Sequence, residues 1–136
     1  MSVFADTSAL YALMDEDDVN HQAARDCWRE LLLAGEELRV SNYVIVETMA
    51  VLQRRLGLEA ARAFLGLALP SLEVEWVAPE THSAGLSSLV VANRRELSLI
   101  DCVSFELMRE RGIQRAFTFD SHFAEQGFEC VPASEE

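Results

Sequence analysis

The chain has 136 residues, half of them apolar, which is enough for one domain with a buried core. Its formal net charge of −12 excludes nucleic-acid binding through a broad basic surface, and every basic side chain is an arginine. No apolar run is long enough to span a membrane and no C-x-x-C pair is present, so we expect a cytoplasmic protein with reduced thiols and no membrane partner.

The first forty residues predict a strand, two helices and a second strand. Residues 3–5 are typical of a short buried strand, and Asp6, Thr7 and Ser8 are suited to cap a helix that follows through Met14. A second helix is predicted over 20–34 and a second strand over 38–40.

The middle of the chain predicts helices and one strand. Ser41 is suited to cap a helix that ends at Leu56, and residues 73–77 alternate as a strand does. The segment 58–69 predicts a helix that is apolar on most sides, with only a narrow polar stripe. In a small domain such a helix indicates a surface that meets a partner.

The last third predicts helices over 81–93 and 99–111, a strand over 116–119, a short helix after Asp120, and a final strand over 128–131. Strands therefore alternate with helices along the whole chain. This order predicts a mostly parallel sheet covered by helices on both faces, a doubly wound α/β fold.

Four acidic residues stand where a small domain usually has apolar or neutral side chains: Asp6, Glu47, Asp101 and Asp120. Asp6 and Asp120 each follow a predicted strand, and ligands of open parallel sheets bind beyond the carboxyl ends of the strands. Apolar helical neighbours place Glu47 on an inward face. Because buried carboxylates need neutralisation and hard divalent cations take oxygen ligands, the pattern predicts a shared metal site.

Each of these residues also has a purely structural interpretation. Asp6 and Asp120 fit helix caps, Asp101 fits the first turn of its helix, and Glu47 fits a buried ion pair with an arginine. His122 is interpreted as a structural or solvated loop histidine. The acidic run over 15–18 is interpreted as a solvated loop because it does not have the spacing of a calcium loop.

Several motifs, taken in order, resemble the PIN domain, and most closely its VapC-type toxins. They are D-T-S-A-L at the start, E-x-x-x-V-L from Glu47, S-L-I-D-C-V-S-F around Asp101, and F-T-F-D-S-H-F-x-x-x-G-F around Asp120. The resemblance implies a single PIN-like domain over 1–136. It also implies three α/β/α layers around a mostly parallel five-stranded sheet.

The same resemblance implies a Mg²⁺- or Mn²⁺-dependent endoribonuclease, the toxin of a type II toxin–antitoxin pair. Its catalytic and metal-binding residues would be Asp6, Glu47, Asp101 and Asp120, with Ser8 and Thr118 as further polar members of the site. A homodimer and a cognate antitoxin that blocks the acidic site are implied as well. The acidic charge favours a specific RNA guided by a few arginines, drawn from Arg54, Arg55, Arg94 and Arg95.

Two other classes of function remain open at this point. A degenerate, non-catalytic PIN-like binding module would have lost some of the acidic positions, and here all four are filled. An aspartate-based phosphatase or receiver-like domain would use Asp6. That chemistry ordinarily needs a lysine, which this chain does not contain, and a phosphatase pattern needs a second aspartate where Ser8 stands.

Overall fold

The structure is a computed structural model and describes residues 1–133. In this range five strands form one sheet: β1 (Ser2–Ala5), β2 (Glu37–Ser41), β3 (Glu73–Glu75), β4 (Arg115–Phe117) and β5 (Glu129–Val131). The α-helices between them are α1 (Thr7–Met14), α2 (His21–Leu33), α3 (Asn42–Leu56), α4 (Leu58–Ala63), α5 (Pro79–Ala92), α6 (Leu99–Arg111) and α7 (His122–Glu125).

The sheet has the strand order β3-β2-β1-β4-β5, and every neighbouring pair is parallel. In the central strand, Phe4 is in register with Arg39 on one side and Ala116 on the other. Val3, Phe4 and Ala5 are all fully buried. Since successive strand residues point to opposite faces, helices must cover both faces of the sheet. The predicted five-stranded α/β fold is confirmed.

The direction of chain winding reverses between β1 and β4, the two strands whose ends begin the candidate site. The backbone N–H of Asp6 donates to the carbonyl of Phe117 at 3.0 Å, which fixes the two strand ends beside each other. Ligand crevices of doubly wound sheets open at this reversal. The topology therefore places Asp6 and the residues after Phe117 at one crevice.

Strand β4 ends earlier than the sequence predicts. The expected strand over 116–119 stops at Phe117, so Asp120 does not directly follow a strand. The reason is that the N–H of Phe119 donates to the Ser8 hydroxyl at 2.9 Å instead of to a strand carbonyl. This bond turns the chain out of the ladder and back toward the end of β1.

The predicted helix over 58–69 is not one regular α-helix. Helix α4 ends at Ala63 and continues as a π-helical turn over Phe64–Ala68 and a 3₁₀ turn over Leu69–Ser71, which contains a proline with no N–H to donate. Phe64 is buried in the wider turn, whereas Leu67 is 74% exposed. Some apolar side chains of this segment are therefore in the core, and others face solvent.

Two further expectations concern the chain as a whole. Within residues 1–133, none of the helices combines the length and the apolar character needed to cross a membrane. The three cysteines are unpaired, and two of them, Cys27 and Cys102, are buried. Residues 134–136 of the predicted domain lie outside the described residues.

Candidate active site

A cavity of about 470 Å³ at the carboxyl ends of β1 and β4 brings the four predicted acidic residues together. Asp6 is buried, and the other three are half-buried. Asp6 follows β1, Glu47 lies in the second turn of α3, Asp101 lies in the first turn of α6, and Asp120 follows β4 after a short turn. The structure therefore gathers side chains that are far apart in sequence.

Asp6 is held in place by two hydroxyl groups. Its Oδ2 atom accepts hydrogen bonds from Ser8 Oγ at 2.8 Å and Thr118 Oγ1 at 3.0 Å. Burial raises the pKa of the Asp6 carboxyl to about 6; the two hydroxyl bonds oppose this shift, and the nearby carboxylates of Asp101 and Asp120 add to it. Without a cation, Asp6 thus carries a strongly desolvated charge at neutral pH.

Asp101 both caps a helix and lines the cavity. Its Oδ2 accepts from the N–H of Ser98 at 3.0 Å, and the Ser98 hydroxyl accepts from the N–H of Asp101 at 3.1 Å, which completes a capping box at the start of α6. Burial raises the pKa of Asp101, and the Asp120 carboxylate raises it further. Asp6 likewise serves as the N-cap of α1. The capping interpretation is therefore compatible with a role in the site.

His122 lies beside two of the predicted acidic residues, a proximity that the sequence pattern did not predict. One ligand atom each from Asp101, Asp120 and His122 lies within 4.8 Å of the other two, the only such group of three in residues 1–133. His122 Nδ1 is 2.8 Å from Asp120 Oδ1 without forming a hydrogen bond, and this buried nitrogen has no hydrogen-bond partner in the described residues. Of the two interpretations, the solvated loop residue is wrong, because His122 begins α7 and its side chain is only 17% exposed, whereas a structural role is not contradicted. The D-x-H spacing after a strand was the signal that could have identified it.

Glu47 makes no ion pair with any arginine in the described part of the chain, so the buried ion-pair interpretation is wrong. The next residue, Thr48, is fully buried and its hydroxyl donates to Thr7 Oγ1 at 3.4 Å, which packs α3 against α1. That contact sets the rotation of α3 that turns Glu47 toward the cavity. Glu47 lies outside the group formed by Asp101, Asp120 and His122.

Two charged residues of the cavity wall were not assigned to the metal site from the sequence. Asp18, expected in a solvated loop, lines the cavity. Arg55 is the only basic residue in the lining; its guanidinium lies over the ring of Tyr11, 5.3 Å from the centroid. The Tyr11 hydroxyl in turn donates to Asp15 at 2.6 Å. Asp18 lies between α1 and α2, in a loop, where no helical or strand periodicity relates a residue to one face of the fold.

The donor set fits a hard divalent cation. Five carboxylates line the cavity, and the His122 imidazole, which is not part of that lining, lies beside two of them. Oxygen ligands of this kind suit Mg²⁺ or Mn²⁺. The buried and unpaired Asp6 carboxyl and the unsatisfied Nδ1 of His122 are both groups that a cation would stabilise. The local structure is thus consistent with the predicted metal.

Fold and site together define an α/β domain with an acidic crevice suited to a divalent metal. The chain belongs to the PIN domain family, whose family model matches residues 3–129. The resemblance found in the motifs, including its VapC-type subgroup, is confirmed.

The curated relatives are "23S rRNA-specific endonuclease VapC20" proteins from two strains of Mycobacterium tuberculosis, CDC 1551 and H37Rv. Each is 35% identical over 127 residues, which is 93% of this chain and 95% of the relative. The crystal structure of M. tuberculosis VapC20, described as a sarcin–ricin loop cleaving toxin, is also similar. It has a TM-score of 0.82 and 35% identity and covers 93% of this chain and 95% of that one.

A more distant structure, PAE2754 from Pyrobaculum aerophilum, has a TM-score of 0.68 at 20% identity. It covers 96% of this chain and 90% of that one. At this identity the likeness concerns the fold alone. The same arrangement of strands and helices is thus shared well beyond the close relatives.

Proposed function

We propose that this protein is a Mg²⁺- or Mn²⁺-dependent endoribonuclease, a single cytoplasmic PIN domain that acts as the toxin of a type II toxin–antitoxin pair. The observation that carries the proposal is the convergence of five carboxylates in one cavity, the four predicted ones and Asp18, with no arginine ion-paired to any of them in the described residues. A non-catalytic module has no need of such an uncompensated cluster, which is costly to fold.

In this proposal Asp6, Glu47, Asp101 and Asp120 hold the metal, and Ser8 and Thr118 fix the orientation of Asp6 through their hydroxyl bonds. Bound divalent ions would supply a water of lowered pKa and positive charge for the phosphate. The capping box holds one oxygen of Asp101 and so limits its rotation. His122 is positioned to be a further ligand or to orient Asp120.

Arg55 is the arginine that we assign to substrate binding. It lines the acidic cavity, whereas Arg94 is already paired with Glu96 at 2.7 Å and with Glu125 at 2.9 Å. Arg55 makes no ion pair within residues 1–133 and is oriented by the Tyr11 ring. A guanidinium in this position can bind a backbone phosphate with two hydrogen bonds.

The relatives suggest the class of RNA. Because the 35% identical proteins cleave 23S rRNA at the sarcin–ricin loop, a structured ribosomal RNA loop is the substrate to test first. A net charge of −12 opposes tight binding of arbitrary RNA, and this fits recognition of one folded element.

The test uses the purified full chain and a sarcin–ricin stem-loop RNA, with an unrelated hairpin for comparison. We expect cleavage with Mg²⁺ or Mn²⁺, loss with EDTA, and recovery when excess metal is returned. Asp6→Asn and Asp101→Asn should be folded and inactive, while Glu80→Gln, an exposed carboxylate outside the cavity, should match the parent. Cleavage that persists in EDTA, or in both aspartate variants, would overturn the assignment.

We also propose that the protein forms a homodimer and binds a cognate antitoxin. The segment over 58–69 still exposes apolar side chains, with Leu67 74% exposed, and this supports it as a contact surface. Leu67→Glu should weaken self-association measured by sedimentation. Leu33→Glu, at a residue 80% exposed on α2, is the matched control. Equal dissociation constants for both variants would remove this segment from the interface.

A further inference from the structure

A second cavity of about 460 Å³ adjoins the acidic one and shares three lining residues with it: Asn20, Phe119 and Asp120. The two cavities differ in charge. The acidic cavity holds five carboxylates and an arginine, whereas Asp120 is the only charged residue in the lining of the second. With no cation in its lining, the second cavity is unsuited to a phosphate and suited to an uncharged group attached to one.

Asn20 supplies an amide side chain to this cavity. It occupies the N-cap position of α2, where an asparagine side chain usually accepts a backbone hydrogen bond. Here φ is −97° and ψ is 5°, outside the extended conformation of a capping residue, and the side chain makes no capping bond. The half-buried amide of Asn20 has an NH₂ donor group beside a carbonyl acceptor, and it lines both cavities.

Phe119 supplies a flat apolar surface at the same boundary. Its backbone is fixed by the bond from its N–H to Ser8 Oγ at 2.9 Å, so its position is tied to the hydroxyl that orients Asp6. Its ring is not paired with another aromatic ring in the described part of the chain. Rings in this state are available to stack with a nucleobase.

We propose that the second cavity is a nucleobase subsite that receives the base of a nucleotide adjoining the cleaved phosphate. Asn20 hydrogen-bonds the edge of the base and Phe119 contacts its face. Adenine is the best match, because its N6–H and N7 groups complement a side-chain amide. The proposal rests on the proposed ribonuclease function and adds to it a base specificity located beside the acidic centre.

The experiment measures cleavage of stem-loop RNAs in which each nucleotide flanking the cleaved bond is changed in turn to the other three. We expect the parent protein to prefer adenine at one flanking position by about tenfold, the scale of one bidentate base contact. Asn20→Ala should reduce that preference to about twofold or less and leave preferences at other positions unchanged. A loss of helix stability alone would lower cleavage of all the RNAs equally.

A second variant tests the cavity by filling it. Ala124 is exposed and lines only the second cavity, so Ala124→Phe should exclude the base and lower the same preference. Ala50→Phe, at an exposed position of α3 outside both cavities, is the matched control and should keep it. Thermal melting of each variant verifies that it is folded.

The outcomes separate this subsite from the ribonuclease proposal. If the parent cleaves with metal but shows no preference beside the cleaved bond, or if Asn20→Ala and Ala124→Phe keep the parent's preference, the subsite is refuted and the nuclease stands. If the parent cleaves no RNA with either metal, both proposals fall together.

Discussion

Two clusters of carboxylates in this protein differ in how their charge is balanced. At the β2–β3 edge, Arg39 contacts Glu37 at 2.7 Å, Glu73 at 3.8 Å and also Glu75, and Arg111 lies 3.3 Å from Glu75. At the β1–β4 crevice, five carboxylates line one cavity and its single arginine pairs with none of them in the described residues.

The difference indicates which cluster serves the fold and which serves function. A carboxylate taken out of water is tolerated when a cation neutralises it and is destabilising when none does. The Glu75 side chain is only 14% exposed, and its charge is balanced by arginines within the fold. The buried Asp6 has no cationic partner in the described residues, and burial raises the pKa of its carboxyl. Under the proposed function, a metal ion from outside the chain would relieve the imbalance at the crevice.

The largest effect is expected from making the crevice resemble the β2–β3 edge. Val51 lines the acidic cavity on α3 between Glu47 and Arg55, so Val51→Arg should place a guanidinium among the carboxylates. We expect metal-dependent RNA cleavage to fall by at least about a hundredfold, since even residues that only support metal ligands are worth about 10- to 100-fold. Kinetics with saturating Mg²⁺ measure the loss.

The matched control for that change is Val51→Met, which adds length without charge. It should keep most of the parent's cleavage rate. The arginine variant should also melt at a higher temperature than the parent when metal is absent, because its charge replaces that of the ion. Near-parental activity of Val51→Arg would mean that a fixed cation and a metal can coexist in the crevice.

Removing the uncompensated charge should give the next largest effect, and it depends on pH. The pKa of Asp6 is about 6 in the folded protein against a reference of 3.8, so the folded state binds more protons than the unfolded state between these values. The free energy of unfolding of the parent therefore falls as pH rises through this window. The Asp6→Asn variant has no carboxyl at this position and does not lose stability in this way. Its free energy of unfolding should therefore rise relative to that of the parent by about 2 kcal/mol between pH 4 and pH 7.

Urea denaturation in EDTA at several pH values measures this difference, with Glu80→Gln as the control carboxylate. Saturating Mn²⁺ should reverse the order of stability at pH 7, because the ion stabilises the parent and binds the variant weakly. A difference between the two proteins that stays constant with pH would show that Asp6 is not destabilised by its charge.

At the β2–β3 edge, removing a charge should lower the stability of the fold instead of raising it. Arg39→Met leaves the carboxylates of Glu37, Glu73 and Glu75 without their shared partner, so we expect a loss of about 1–2 kcal/mol in the free energy of unfolding. Cleavage of RNA below the melting temperature should stay within about twofold of the parent, because this edge does not line the acidic cavity. A stability equal to the parent's would mean that these ion pairs only offset their desolvation.

How much of the site the sequence predicts depends on the kind of element that carries each residue. Asp6 follows a buried strand and Glu47 belongs to a periodic helix, so both could be placed from pattern alone. Asp18 lies in a short loop and His122 is the first residue of the short helix α7, so neither belongs to a segment long enough for periodicity to relate its side chain to one face. The exit of Phe119 from the ladder depends on Ser8, 111 residues away in sequence, a contact that local pattern does not encode.

The smallest effect is expected for Arg55, the one arginine that lines the crevice. Its kinetics distinguish a role in substrate binding from a role in charge balance. If Arg55 binds an RNA phosphate, Arg55→Met should raise KM by about tenfold with little change in kcat, the scale of one charge-assisted contact. Arg54, its neighbour on α3, is exposed and outside the cavity, so Arg54→Met is the matched control and should stay near the parent. A lower kcat at unchanged KM would instead assign Arg55 to the chemical step, and equal KM values for both variants would remove it from the RNA path.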